Sequence, residues 1–259
     1  MTDLRALLFD VDGTLADTER DGHRVAFNRA FRGAGLDWDW TPELYGELLA
    51  VTGGKERMLY YLERFRPDFP RPPNLPAFVA GLHAAKTRHY LEMLEGGGIP
   101  LRPGVARLLH DAREAGYLLG IATTTTPDNV LTLLRSSLAP DAPDWFAVIA
   151  AGDIVPAKKP APDIYVWALR QLRLDPAQCV AFEDSGHGVR SAAGAGIRAI
   201  LVTVNDYTRG QDFQGATLVI DDLGEPQRPS RRLVGEPVVD GLVTLDTVRS
   251  LHQAANPAV

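Results

Sequence analysis

The chain has 259 residues, 45% of them apolar and 23% charged, and a net charge of −6. This is the composition of a soluble globular protein, long enough for one large domain or a core with a smaller insertion. The negative balance argues against non-specific nucleic-acid binding, which needs broad basic surface, but not against a small anionic ligand, whose binding depends on local Lys and Arg.

Cys179 is the sole cysteine, so no intramolecular disulfide forms, which fits a reducing compartment. The first residues lack a basic region followed by a long apolar run, and no stretch reaches the roughly 20 apolar residues of a bilayer span. A cytoplasmic monomer is expected, with neither nucleic acid nor membrane as partner; a processed organellar protein would read the same.

The first apolar run, ALLF at 6–9, leads straight into Asp10, and Asp12 follows one residue later. Residues i and i+2 of an extended segment point to the same side. Two carboxylates are therefore crowded at a strand end, and a positive charge is needed between them. From 17 to 98 no strand pattern is found, but helical stripes continue, as in Phe27, Ala30, Phe31 and Ala34, until GGG at 96–98 closes the interval. A helical face of Val105, Leu108, Leu109 and Ala112 follows, and then apolar runs at 117–122 and 147–150. After Pro162 a second face, Tyr165, Ala168, Leu169 and Leu172, precedes runs at 179–182, 199–204 and 217–220. These runs are nearly continuous rather than alternating, as in parallel strands covered on both faces. The polar segment 221–240 reads as a long loop before a last helix near 245–252.

Strand–helix alternation of this kind implies an α/β fold: a Rossmann-like doubly wound parallel sheet with an inserted helical cap domain. The expected division is 1–16 with 99–259 as the core and 17–98 as the cap. Ligands of open α/β sheets bind outside the carboxyl ends of the strands, so an insertion after the first strand would lie over the active site.

The same strand ends gather the polar residues: Asp10 and Asp12, then TTTT at 123–126, AKKPAPD at 157–163 and EDS at 183–185. Clustered carboxylates suit a hard cation such as Mg²⁺, which prefers oxygen ligands and makes the acidic pair tolerable. Simpler roles compete at some positions. Thr125 and Thr126 suit a strand as β-branched residues, and Asp184 or Ser185 suits the cap of a following helix. Lys158 reads as a solvated neighbour, His89 and His187 as surface or packing residues, and Trp38 and Trp40 as cap core.

FDVDGTLADTE, the Thr after the second strand, the Lys-Pro of KKPAPD, and FEDS resemble, in order, the four motifs of the haloacid dehalogenase phosphatase superfamily. GLDWDW, VTGGKER, AAKTRHY, IATTTTPDN and AGDIVPAKKPAPDIY narrow the resemblance to CbbY-type proteins. Those are phosphatases of xylulose-1,5-bisphosphate, a misfire product and inhibitor of Rubisco. The resemblance implies Mg-dependent hydrolysis of a phosphorylated sugar through an aspartyl-phosphate. Asp10 would be the nucleophile and Asp12 the general acid and base. Thr123, Thr124 and Lys159 would hold the phosphoryl oxygens. Mg²⁺ would be held by Asp10, the Asp12 carbonyl and Asp184, with Glu183 in support. In the cap, Gly53, Gly54, Lys55 and Arg57 would take the remote phosphate, and Glu19 and His23, with Tyr45, the sugar hydroxyls. The spacing from Glu19 to His23 is one residue longer than in some relatives, and His187 stands where relatives often carry Asn. Two other functions fit the same residues. One is a sugar phosphomutase of the β-phosphoglucomutase type. The other is a non-catalytic sugar-phosphate sensor, which would have no need of a nucleophile.

Overall fold

The computed structural model describes residues 3–97 and 99–257. In chain order, β1 (Ala6–Phe9) is followed by α1 (Arg24–Gly33), α2 (Pro42–Leu48), α3 (Gly54–Arg64) and α4 (Leu75–Glu95). The alternating part comprises α5 (Val105–Glu114), β2 (Leu118–Ala122), α6 (Pro127–Ser137), β3 (Phe146–Ala150), α7 (Asp163–Leu172), β4 (Cys179–Glu183) and α8 (Gly186–Gly194). β5 (Ala199–Thr203), β6 (Leu218–Ile220), β7 (Arg232–Val234) and α9 (Leu245–Ala255) complete it. Two compact units result, Met1–Asp17 with Pro100–Val259 and Thr18–Ile99. Gly98, on which the expected second boundary falls, lies outside the described residues.

In the α/β unit the sheet order is β3-β2-β1-β4-β5-β6-β7, parallel except for β7. The apolar runs become strands because both faces are covered: every residue of β1, β4, β5 and β6 is buried. The anticipated stripe of α5 is buried, as are Tyr165, Ala168 and Leu169 of α7. The chain leaves β1 towards β2 and β3, then returns to build β4, β5 and β6 on the other side. The order therefore reverses at β1, and the carboxyl ends of β1 and β4 form the crevice where such sheets take ligands.

One expectation is corrected. The segment 221–240 is not loop throughout: β7 pairs antiparallel with β6 at the sheet edge, and Val239–Gly241 forms a 3-10 turn. All three residues of β7 are exposed, so no buried face imposes a readable period on so short a strand.

The helical unit contains no strand among its described residues. Trp38 and Trp40 are buried in an aromatic cluster with Phe27, Phe31, Tyr45 and Tyr61, consistent with core residues. Its first turn, Glu19–His23, is a π-helix leading into α1. A π turn takes in one extra residue without ending a helix, so a Glu19-to-His23 spacing longer by one residue fits here. No helix among the described residues is long and apolar enough to cross a membrane.

Candidate active site

Register brings the acidic residues together. Phe9 pairs with Phe182 across β1 and β4, their rings stack at 4.3 Å, and the Asp10 amide donates to the Phe182 carbonyl at 2.9 Å. The next residue on each strand, Asp10 and Glu183, must then be neighbours, with Asp184 beyond. One carboxylate oxygen from each of the three lies within 4.8 Å of the others, and all three are buried.

Lys159 enters from the segment after β3. Its Nζ donates to Asp10 Oδ1 at 2.9 Å and to Glu183 Oε1 at 2.6 Å. The positive charge facing Asp10 is therefore an ammonium belonging to the chain itself. Burial alone would lower the Lys159 pKa, but Asp10 and Glu183 outweigh it and raise it. Burial pushes the Glu183 carboxyl up to about 7 against the pull of Lys159. Burial also raises Asp10 and Asp184, the latter further through the nearby Asp10 and Glu183 charges.

Asp12 is half-buried beyond the strand, near enough to raise Asp10 further, and Gly13 turns the chain with a φ of +83°. A Cβ at Gly13 would fall 2.3 Å from Asp184 Oδ2, so the backbone packs directly on that carboxylate. Thr123 follows β2 and is buried, with its amide donating to Ala150. Thr124 is half-buried beside it. Ser185 caps α8, the local role weighed for it, but Thr125 and Thr126 are not strand residues: β2 ends at Ala122, and Thr126 caps α6, its side chain accepting from the Asn129 amide. Lys158 pairs with the exposed Asp153 at 3.3 Å.

Residues not singled out for the site complete it. The buried Tyr165 hydroxyl donates to Glu183 Oε1 at 2.5 Å. Asn205 Nδ2 donates to Asp184 Oδ2 at 2.7 Å, leaving Oδ1 of that carboxylate for another partner. The helical stripe marks Tyr165 as inward-facing without showing what its hydroxyl meets. Asn205 did carry a signal, because it follows an apolar strand as Asp10 does.

The donor set fits Mg²⁺. Three buried carboxylates face one ammonium, and the buried Glu183 Oε2 has no hydrogen-bond partner. A hard divalent cation answers both the excess negative charge and the all-oxygen chemistry.

In the helical unit, Tyr45 donates to Glu19 Oε2 through its hydroxyl, which in turn accepts from Arg57 Nη1 at 2.8 Å. Arg57 lies 3.8 Å from Glu19 Oε2 and is buried. Glu19, Tyr45 and Arg57 thus form one cluster. Gly53, with a φ of +99°, precedes α3, whose first turn carries Gly54 and the half-buried Lys55. His23 closes the same π turn that Glu19 opens, with Nδ1 at 2.8 Å from the buried Lys86 Nζ and its ring 4.1 Å from that of Tyr90.

Known proteins match this arrangement. The family model for haloacid dehalogenase-like hydrolases matches residues 4–196. Protein CbbY of Rhodobacter capsulatus is 51% identical over 221 residues, 85% of this chain and 94% of that protein. The plasmid CbbY protein of Cupriavidus necator is 48% identical over 226 residues, 87% of this chain and 88% of that one. A crystal structure of a mutant CbbY from Rhodobacter sphaeroides in complex with xylulose-(1,5)bisphosphate matches with a TM-score of 0.78 and 46% identity. That match covers 85% of this chain and 94% of that chain. With an acidic cluster at the β1–β4 crevice and relatives this similar over most of their length, the chain belongs to the haloacid dehalogenase-like hydrolases as a CbbY-type phosphatase.

Proposed function

We propose that the chain is a Mg²⁺-dependent phosphatase that hydrolyses xylulose-1,5-bisphosphate to xylulose-5-phosphate through a phosphoryl-Asp10 intermediate. The carrying observation is the buried Asp10–Lys159–Glu183 chain, with bonds of 2.9 and 2.6 Å, beside Asp184. The 46%-identical relative in complex with that bisphosphate supports the substrate assignment.

Asp10 attacks phosphorus, and Asp12 protonates the departing sugar oxygen. Splitting the displacement into two steps is covalent catalysis. Asp12, now ionised, takes a proton from the water that attacks the phosphoryl group and releases inorganic phosphate. The Lys159 ammonium, with Thr123 and the Thr124 amide, stabilises charge on the phosphoryl oxygens as it develops. Its bond to Glu183 fixes where that ammonium sits. Asp10, the Asp12 carbonyl and Asp184, with Glu183 in support, would hold Mg²⁺, which when bound neutralises phosphoryl and carboxylate charge.

We assign 1–16 and 99–259 as the family's core domain and 17–98 as its cap. Within the latter, Glu19 reads a sugar hydroxyl and Arg57, with Lys55 and the Gly53–Gly54 backbone, the second phosphate. His23 sits in the His23–Lys86–Tyr90 group and is assigned to the sugar.

Phosphate release from a panel of sugar mono- and bisphosphates, with Mg²⁺ and with EDTA, tests the assignment. Xylulose-1,5-bisphosphate should have the highest kcat/KM, and EDTA should abolish turnover. An isomerised sugar phosphate without phosphate release would instead identify a mutase, and binding without any turnover a sensor.

A further inference from the structure

Arg102 is a buried guanidinium outside every motif considered so far. It lies where the chain re-enters the α/β unit: Leu101 forms an antiparallel bridge with Ala16, and the Arg102 amide donates to the Leu15 carbonyl at 2.8 Å. Its side chain holds that same segment and reaches two more. Nη1 donates to the Gly13 carbonyl and stands 3.2 Å from Asp17 Oδ1. Nη2 donates to the Val204 carbonyl at 2.7 Å and the Asp221 carbonyl at 2.5 Å.

Two of those carbonyls border the catalytic groups. Gly13 directly follows Asp12, and Val204 directly precedes Asn205, whose amide holds Asp184. The two segments also touch, since a Cβ on Gly13 would fall 2.6 Å from Asn205 Nδ2 and 2.3 Å from Asp184 Oδ2. A planar fork with two donor-bearing nitrogens can hold both carbonyls at a fixed separation, whereas a lysine presents one nitrogen and cannot.

We propose that Arg102 is a positioning residue. It sets the distance between the Asp12 backbone and Asp184, and with it both cation affinity and the aim of the acid–base carboxyl. This rests on the roles given above to Asp12 and Asp184. It goes beyond them by placing control of their spacing in one side chain that touches neither.

Arg107, one turn further along, is an internal control. It too grips three carbonyls, those of Val243 (2.9 Å), Leu223 (3.2 Å) and Gly224 (2.7 Å), but none borders a catalytic group. The experiment compares Arg102→Lys with Arg107→Lys in the full chain. It measures calorimetric Mg²⁺ affinity, kcat and KM for p-nitrophenyl phosphate at saturating Mg²⁺, and melting temperature. Removing a support behind a metal ligand costs roughly 10- to 100-fold in affinity or activity. Arg102→Lys should raise the Mg²⁺ Kd and lower kcat by such factors, with KM changed less than about threefold. Arg107→Lys should lower the melting temperature alone. If both variants lose only melting temperature, Arg102 is structural and the proposal fails. Should Arg102→Lys not fold, Asp17→Asn removes only the half-exposed ion-pair partner. An unchanged Mg²⁺ Kd in that variant would equally overturn the proposal, and a rise of about threefold would support it. The Mg²⁺ titration is independent of substrate choice. Wild type that binds Mg²⁺ but hydrolyses no sugar phosphate would therefore sink the functional reading and leave this comparison standing.

Discussion

Lys159→Met replaces the ammonium that bridges Asp10 and Glu183 with an apolar chain of similar length. The bonds lost are 2.9 and 2.6 Å long, in a site where Asp10 and Glu183 are 7% and 1% exposed. Breaking a buried ion pair from one side costs about 3–5 kcal/mol, because the remaining charge stays uncompensated. At about 2–4 °C per kcal/mol for a chain of this size, melting should fall by roughly 6–20 °C in EDTA at pH 8.

That deficit should depend on pH. Burial already pushes Glu183 up to about 7, and Lys159 is the first group opposing the rise, so the variant's Glu183 titrates higher still. A carboxyl whose folded pKa exceeds its unfolded value binds more protons when folded, and stability falls as pH rises between the two. At pH 5.5 the variant sheds its excess charge by keeping the proton; wild-type Glu183, at about 7, is protonated there too, so the deficit should shrink, by at most about 1.4 kcal/mol. Turnover should fall about 100- to 1,000-fold, as when one donor aimed at transition-state charge is removed. Thermal unfolding in EDTA at both pH values, with kcat measured in Mg²⁺, tests this. Equal deficits at pH 5.5 and 8, or a kcat within threefold of wild type, would refute the reasoning.

Arg57→Ala should lower kcat/KM for xylulose-1,5-bisphosphate roughly 30- to 1,000-fold, the equivalent of about 2–4 kcal/mol, while barely changing p-nitrophenyl phosphate hydrolysis; equal losses on both substrates would contradict the specificity role. Gly188→Ala would put a Cβ 1.8 Å from Glu183 Oε2, on a side chain held by Lys159 and Tyr165. Such overpacking costs about 1–3 kcal/mol and should show as a drop in melting temperature with loss of kcat. Cys179 is fully buried, and burial pushes its thiol up to about 12, so at pH 8 about one thiol in 10,000 is ionised. Iodoacetamide should leave the native chain unmodified and alkylate it in denaturant, as intact mass would show.

The sheet was legible because burial on both faces writes each parallel strand as an apolar run, and the clustered carboxylates because they interrupt those runs at their ends. β7 was not legible, since an exposed edge strand of three residues carries no burial pattern. Arg102 was hidden for another reason: its partners are carbonyls 89, 102 and 119 positions away, and carbonyls carry no side-chain identity. Tyr165 is buried as its helical stripe implies, but a stripe reports only that a residue faces inward, not what its polar tip meets there.

That unread hydroxyl contact makes Tyr165→Phe the sharpest test of how the site is held. The ring is fully buried and Phe preserves its volume, so no cavity opens. What disappears is one hydroxyl donor at 2.5 Å to Glu183 Oε1, the oxygen that also anchors Lys159. Burial raises the Tyr165 pKa, followed by the Glu183 charge, so the hydroxyl keeps its proton and is a donor at neutral pH. A hydrogen bond to a charged group contributes about 1.5–3 kcal/mol, and at about 2–4 °C per kcal/mol melting should fall by roughly 3–12 °C. If Tyr165 serves only the core, stability drops and kcat per folded molecule stays at the wild-type value. If it holds Glu183 and, through it, the Lys159 ammonium, kcat falls up to about tenfold at unchanged KM, because the clamp acts on charge that develops only in the transition state. A kcat equal to wild type in the folded variant would remove Tyr165 from the machinery and leave Asp10 and Glu183 alone to position Lys159.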